Sequence, residues 1–196
     1  MKIIGITGGV GSGKSGVLSL LKKKYGAYIL EADKLAHVLM QPEGPTYHPI
    51  IDCFGVEIVA SDGSIDRKKL GAIVFHDADK LERLNAITHP AVRTEINRRI
   101  AAASQTGGYT YFALEAALLL EEGYDAVCDE IWYIYVDPET RIQRLMAGRG
   151  YSREQCISIF ESQSDDSYYR SHSRYVIDNS KDFENTELQI DNLLKK

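Results

Sequence analysis

Lys2-Ile3-Ile4-Gly5-Ile6-Thr7-Gly8-Gly9-Val10-Gly11-Ser12-Gly13-Lys14-Ser15 is the stretch whose reading decides the fold of this chain. Its first half, KIIGIT, is short, apolar and β-branched, as expected of a strand buried on both faces of a parallel sheet. Its second half satisfies the spacing G-x-x-x-x-G-K-[ST], and Val17, Leu18 and Leu21 follow at helical intervals. By composition alone such a match arises on the order of once in a hundred chains of this size. The strand before it and the helix after it are the context that separates a working loop from an accident. Glycines let successive backbone N–H groups turn inward on phosphate oxygens, and the positive end of the following helix adds to their pull. Lys14 supplies a movable charge for the β- and γ-phosphates, and the Ser15 hydroxyl can ligate Mg²⁺. Gly9, Val10, Gly11, Ser12, Gly13, Lys14, Ser15 and Gly16 are therefore the expected ATP-binding residues.

Working outward, strands at Tyr28–Leu30, Tyr109–Glu115, Ile131–Val136 and Tyr175–Ile177 are separated by helical patterns at Lys34–Met40, Pro138–Ala147, Arg153–Ser162 and Glu184–Leu194. Strands alternating with helices predict an α/β fold: a P-loop NTPase-like parallel sheet flanked by helices. The interval 31–108 breaks the rhythm, because a crossover needs only about a dozen residues or a little more. It carries helical patterns instead: Leu70, Ile73 and Val74, then Leu81 and Leu84, then Val92, Ile96 and Ile100 behind a start signal at His89-Pro90. The expected organisation is a nucleotide-binding core of residues 1–41 and 106–196, with a lid at about 139–170, and a helical insertion over 42–105. The insertion is either a platform for a second substrate or a set of helices that thickens the core.

Composition closes several other routes. The 196 residues carry 23 Lys+Arg against 28 Asp+Glu, a net charge of −5, whereas nucleic-acid binding through phosphates calls for a basic excess or stripe. The basic run Lys22-Lys23-Lys24 reads as the last turn of a helix ahead of Gly26. The longest apolar run, Phe112 to Leu120, is interrupted by Glu115 and falls far short of the roughly 20 residues that cross a bilayer. Cys53, Cys128 and Cys156 are odd in number and lack C-x-x-C spacing, which argues against disulfides and zinc and fits a reducing cytoplasm. Lys2 leads directly into a core strand rather than a leader's apolar stretch. The expected partners are small molecules, with neither nucleic acid nor membrane, and the oligomeric state stays open.

The remaining candidates surround the loop. Asp33 follows the second strand, where open α/β sheets bind ligands; it is either a base for an attacking hydroxyl or the N-cap of the next helix. Glu115 and Asp137 each end a strand, so either can reach Mg²⁺ through water, and one of them is structural. Arg141, Arg144, Arg149 and Arg153 can close over a triphosphate or form a solvated basic face. His89 before Pro90 reads as a turn or core histidine ahead of a catalyst. A GTPase would also need N-K-x-D, which Asn179-Ser180-Lys181-Asp182 does not supply.

With these residues laid out, the chain resembles the dephospho-CoA kinases along almost its whole length. The resemblance runs through Gly5–Ser15, Glu31-Ala32-Asp33, Asp66-Arg67 with Leu70 and Ile73-Val74-Phe75, and Leu84–Val92. It continues through Leu118-Leu119-Leu120-Glu121, Gln143-Arg144-Leu145-Met146, Gln163 and Val176-Ile177-Asp178-Asn179. It implies transfer of the ATP γ-phosphate to the ribose 3′-hydroxyl of dephospho-CoA, the last step of coenzyme A biosynthesis, with ATP and Mg²⁺ required. Under it Asp33, Lys14 and Arg144 are the catalytic residues, Arg144 and Arg149 the lid arginines, and Asp33, His89, Arg93 and Leu118 the acceptor contacts. Four places depart from the pattern: Gly16 stands for Thr, Glu115 and Ala117 for Asp and Pro, Gly148 for a lid Arg, and Ser173-Arg174 for Ala-Asp. Those departures keep two other readings in play, a kinase of a different small alcohol and a nucleotide-binding module without turnover.

Overall fold

A computed structural model describes residues 1–195. The strands are β1 (Lys2–Thr7), β2 (Tyr28–Glu31), β3 (Tyr111–Glu115), β4 (Glu130–Tyr135) and β5 (Tyr175–Asp178). The helices are α1 (Lys14–Tyr25), α2 (Ala32–Leu39), α3 (Tyr47–Phe54), α4 (Arg67–Val74), α5 (Ala78–Thr106), α6 (Pro138–Arg149), α7 (Arg153–Glu161), α8 (Asp166–His172) and α9 (Phe183–Leu194). The strands form one five-stranded parallel sheet in the order β2-β3-β1-β4-β5. KIIGIT therefore takes the middle place, and its last four residues are buried, as its unbroken apolar character requires. The chain leaves β1 toward one side of the sheet for β2 and β3 and toward the other for β4 and β5. That switch point lies just beyond Thr7, where an open α/β sheet offers its crevice.

Contacts divide the chain into two compact units, Met1–Leu30 with the chain from Ala103 on, and Glu31–Ala102. The division falls at residues 30/31 and 102/103 rather than at 41/42 and 105/106, so α2 and Asp33 belong to the helical unit. The sheet unit is built on Ile4, Ile6, Val17, Leu21, Trp132 and Ile177, with Ile190 of α9 packed among them. α1 ends as its sequence predicts, with Lys22, Lys23 and Lys24 in the last turn and Gly26 at φ 61° closing it. Lys24 then donates to Glu187 at 2.7 Å and to Asp191 at 2.8 Å, tying α1 to α9.

The helical unit has its own core of Ile50, Phe54, Ile58, Leu70 and Val74, against which Leu84 and Ile87 pack. Here one sequence expectation is corrected: His89-Pro90 does not start a helix. α5 runs unbroken from Ala78 to Thr106 with Pro90 inside it. Proline costs such a position about 3 kcal/mol, yet the inward stripe crosses it without losing register. Leu84 is half-buried, and Thr88, Val92 and Ile96, at successive four-residue steps, are 9 %, 3 % and 1 % exposed. Burial of that stripe on both sides of the proline outweighs the one hydrogen bond it removes. Two helices had no counterpart in the sequence reading. α3 ends in Asp52-Cys53-Phe54 and is closed by Gly55, and α8 is a seven-residue helix capped by Asp165.

The three cysteines are free thiols: Cys53 exposed, Cys128 half-buried and Cys156 buried. Burial, followed by the nearby Asp125 and Asp129 carboxylates, pushes the Cys128 thiol up to about 12. Iodoacetamide at pH 8 is therefore expected to label Cys53 first and to reach Cys128 and Cys156 only after denaturation. Peptide mass spectrometry checks this, and Cys128 labelled as fast as Cys53 contradicts it.

Candidate functional site

The loop between β1 and α1 is shaped by what surrounds it. Gly13 is the residue before α1 and has φ 87°, the left-handed region that a side chain disfavours. A Cβ there would also collide with the Asn179 amide. That amide donates to the Ser12 carbonyl at 2.8 Å, while the Asn179 oxygen accepts from Thr186 Oγ1 at 2.8 Å. β5 and α9 thus fix the base of the loop from the far side of the sheet. Asn179 stands in the sequence reading within a family stretch and at the head of the tetrapeptide that fails N-K-x-D, but not as a contact of the loop; a polar residue immediately after the last strand was the available signal.

α1 opens on Lys14 with no side-chain cap; the Gly16 and Val17 N–H groups donate to the Gly13 carbonyl, and those of Lys14 and Ser15 have no helical acceptor. Among the described residues, the N–H groups of Gly11 and Gly13 likewise donate to nothing. The Thr7 and Ser12 hydroxyls are buried without a hydrogen-bond partner, Thr7 at the end of β1 and Ser12 within the loop. Orphaned donors of this kind are costly unless something accepts from them. A string of phosphate oxygens is what the set lacks, and the residues present fit one.

Lys14 is folded back over the loop. Its Nζ donates to the Gly8 carbonyl at 2.7 Å and stands 3.6 Å from Glu115 Oε1. Glu115 reaches it because β3 pairs with β1 in a register that sets Glu115 opposite Ile6. Asp137 proves to be the structural carboxylate of the pair. Its Oδ1 accepts from the Thr140 N–H at 3.0 Å and caps α6 behind Pro138, and the Thr140 side chain, followed by this N–H, holds its carboxyl below the usual range. Glu115 is left as the acid at the loop. Ser15 is exposed in the first turn of α1, which leaves its hydroxyl open to a ligand. A hydroxyl, a carboxylate and phosphate oxygens are the hard donors Mg²⁺ prefers.

The lid arginines separate cleanly. α6 lies along the loop: a Cβ on Gly11 would come within 3.0 Å of Leu145, and one on Gly13 within 3.8 Å of Arg144. Arg144 is half-buried and donates to the Lys181 carbonyl at 3.4 Å. Arg141, one turn earlier, also reaches the loop, where its Nε donates to the Val10 carbonyl at 3.1 Å. Burial holds the Arg141 guanidinium below its ordinary value. Arg149 closes α6 in an exposed position and touches none of the loop residues among the described contacts. Arg153 forms a two-point surface pair with Glu139 at 2.9 and 2.8 Å.

The other candidates lie apart from these contacts. Gly16 holds the Phe183 ring against α1, at 3.0 Å from where a Cβ would stand. Leu118, in the turns after β3, is 53 % exposed. In the helical unit, α5 carries half-buried His89 and exposed Arg93 four residues apart. Asp33 sits in the first turn of α2, exposed and without a hydrogen bond among the described residues; the N-cap is Glu31. The capping alternative for Asp33 therefore falls. One turn on, burial lowers the pKa of half-buried His37, with the charge of Arg67 adding to the shift and that of Asp33 opposing it.

The family described as dephospho-CoA kinase matches residues 2–185 of the chain. A dephospho-CoA kinase of Carboxydothermus hydrogenoformans is 40 % identical over 196 residues, covering all of this chain and 94 % of that protein. The crystal structure of TT1252 from Thermus thermophilus superposes with a TM-score of 0.83 at 30 % identity, covering 99 % of this chain and 96 % of that one. Dephospho-CoA kinase from Campylobacter jejuni shares the fold, with a TM-score of 0.74 at 24 % identity over 100 % of this chain and 96 % of that one. A glycine loop with its own lysine, framed by a parallel sheet and continued by likeness from end to end, has one reading: the chain belongs to the dephospho-CoA kinase family.

Proposed function

We propose that this protein transfers the γ-phosphoryl group of ATP to the ribose 3′-hydroxyl of dephospho-CoA, yielding coenzyme A and ADP. What carries the reading is Lys14, held over a loop of unpaired N–H groups in a chain of this family. The backbone donors of the loop take the β- and γ-phosphates. Lys14 leaves the Gly8 carbonyl to neutralise charge on the oxygens of the transferring group. Ser15 would hold Mg²⁺, with Glu115 as the acid beside Lys14, and the ion would supply positive charge against the phosphates. Arg144 and Arg149 supply cationic charge from the lid, Arg144 from its place beside Gly13.

Asp33 accepts the proton of the attacking hydroxyl, a role its exposed carboxylate can take because it caps nothing. The helical insertion, 42–105 with His89 and Arg93, and Leu118 serve the acceptor. No helix among the described residues is long and apolar enough to cross a membrane. A cytoplasmic enzyme acting on two small molecules, with no nucleic-acid partner, fits this chemistry and the net charge of −5.

An acceptor panel tests the reading. Purified protein with MgATP is expected to release ADP with dephospho-CoA and to be idle with nucleosides, nucleoside monophosphates and shikimate. Turnover on one of those acceptors and none on dephospho-CoA moves the chain to another alcohol kinase. ATP binding without transfer to any acceptor makes it a nucleotide-binding module.

A further inference from the structure

Every polar and apolar group of Val10, at the tip of the phosphate loop, is held by the segment that follows β4. Its carbonyl accepts from Arg141 Nε at 3.1 Å, and its N–H donates to Gln163 Oε1 at 3.3 Å. The same Gln163 oxygen accepts from Arg141 Nη2 at 2.8 Å, which closes a ring of three hydrogen bonds. The Val10 side chain packs on the core formed by Ile142, Leu145 and Cys156. The Arg141 guanidinium carbon stands over the Phe160 ring, 3.9 Å from its centroid. Its approach to the loop is so close that a Cβ on Gly9 would overlap it.

We infer that Arg141 is a positioning residue for the reaction, working as a latch that fixes the loop tip and sets α6 in place. The inference rests on the reading of the loop as the ATP site. The Val10 N–H is turned to Gln163, so the tip belongs to the lid while the N–H groups beyond it stay with the phosphates. Arg141 and Arg144 are three residues apart and lie on one face of α6. Fixing Arg141 at Val10 therefore fixes where Arg144 meets Gly13. Arginine suits the place because its planar fork addresses two acceptors at once while its face stacks on an aromatic ring; a lysine ammonium cannot do both. Pre-setting the loop in this way removes an ordering cost that each nucleotide would otherwise meet.

Arg141→Met keeps the apolar stem and deletes the donors. It is expected to weaken ADP binding by about tenfold in calorimetry, the size of one or two charge-assisted bonds. KM for ATP should rise by a similar factor, with KM for the acceptor within twofold of wild type. Gln163→Met should act alike, and the double variant should be no worse than either single one, because all three break one ring. Arg141→Lys should recover part of the loss. A merely structural arginine would lower the melting temperature and leave ADP affinity of the folded protein unchanged. That result overturns the inference, as do losses that multiply in the double variant. If Arg141→Met does not fold, Arg141→Lys and Gln163→Met carry the same comparison. ADP titration needs no acceptor, so a mistaken acceptor leaves this test standing, whereas wild-type protein that binds no ADP fails the ATP-site reading itself.

Discussion

Lys14→Ala is expected to lower kcat by about 10²–10³-fold, the usual cost of removing one preorganised donor from a developing anion. KM for ATP should rise as well, because two effects act together. The ammonium that now donates to the Gly8 carbonyl at 2.7 Å is lost to the phosphates. Glu115, 3.6 Å from that ammonium and 12 % exposed, is left facing the incoming nucleotide without this cation. Two like charges about 4 Å apart repel by about 4 kcal/mol at the effective dielectric of a protein surface, so ADP affinity should fall even without chemistry. Lys14→Arg is not expected to rescue, since a planar fork cannot follow the phosphate as a compact, rotatable ammonium does. Steady-state rates with ADP titration check this. A Lys14→Ala enzyme within tenfold of wild type on both would remove the lysine from the mechanism.

Lys14 and its loop could be read without coordinates because the information is local. Glycine spacing, one lysine, a strand before and a helix after lie within a score of residues. The alternation of strands and helices was legible for the same reason, each element carrying its own period and stop signals. Arg141 shows where that ends. From the sequence it and Arg153 form one basic series, yet one is half-buried against Val10, 131 residues away in the chain, and the other pairs with Glu139 at the surface. Only tertiary contact separates them, and no local pattern carries it. The same holds for Glu115 and Asp137, both strand-ending acids. One meets Lys14 through the β1–β3 register, and the other is consumed by its own helix.

Pro90 is the opposite case. There a local signal was present and strong, and the longer four-residue stripe through Thr88, Val92 and Ile96 overrode it. α8 escaped because seven residues rich in Ser and Tyr give no periodic apolar face to read. The Asp33 ambiguity, base or cap, was a true tie in sequence terms, since the same residue type at the same place after a strand serves both. Backbone geometry removes the capping role by starting α2 two residues earlier than Lys34, which puts Asp33 inside the first turn.

That placement sharpens the second large effect. Asp33→Asn keeps size and hydrogen-bonding reach while removing the capacity to take a proton. If the carboxylate accepts the proton of the acceptor hydroxyl, kcat is expected to fall about 10²–10⁴-fold, with ADP affinity within twofold of wild type. The melting temperature should hardly move. Asp33 is exposed, accepts no hydrogen bond among the described residues, and contributes at most its favourable place near the start of α2. That is worth about 0.3–1 kcal/mol at an exposed site. Had Asp33 been the cap, the pattern would reverse, with stability lost and turnover kept. The two measurements therefore answer different questions in one variant. An Asp33→Asn protein turning over at near the wild-type rate on dephospho-CoA would strip the residue of its role as base, while leaving the phosphate loop and Lys14 where they stand. Slow turnover with unchanged melting and unchanged ADP binding would fix the loss on the acceptor's side of the reaction, where the hydroxyl gives up its proton as its oxygen bonds to phosphorus and ADP departs.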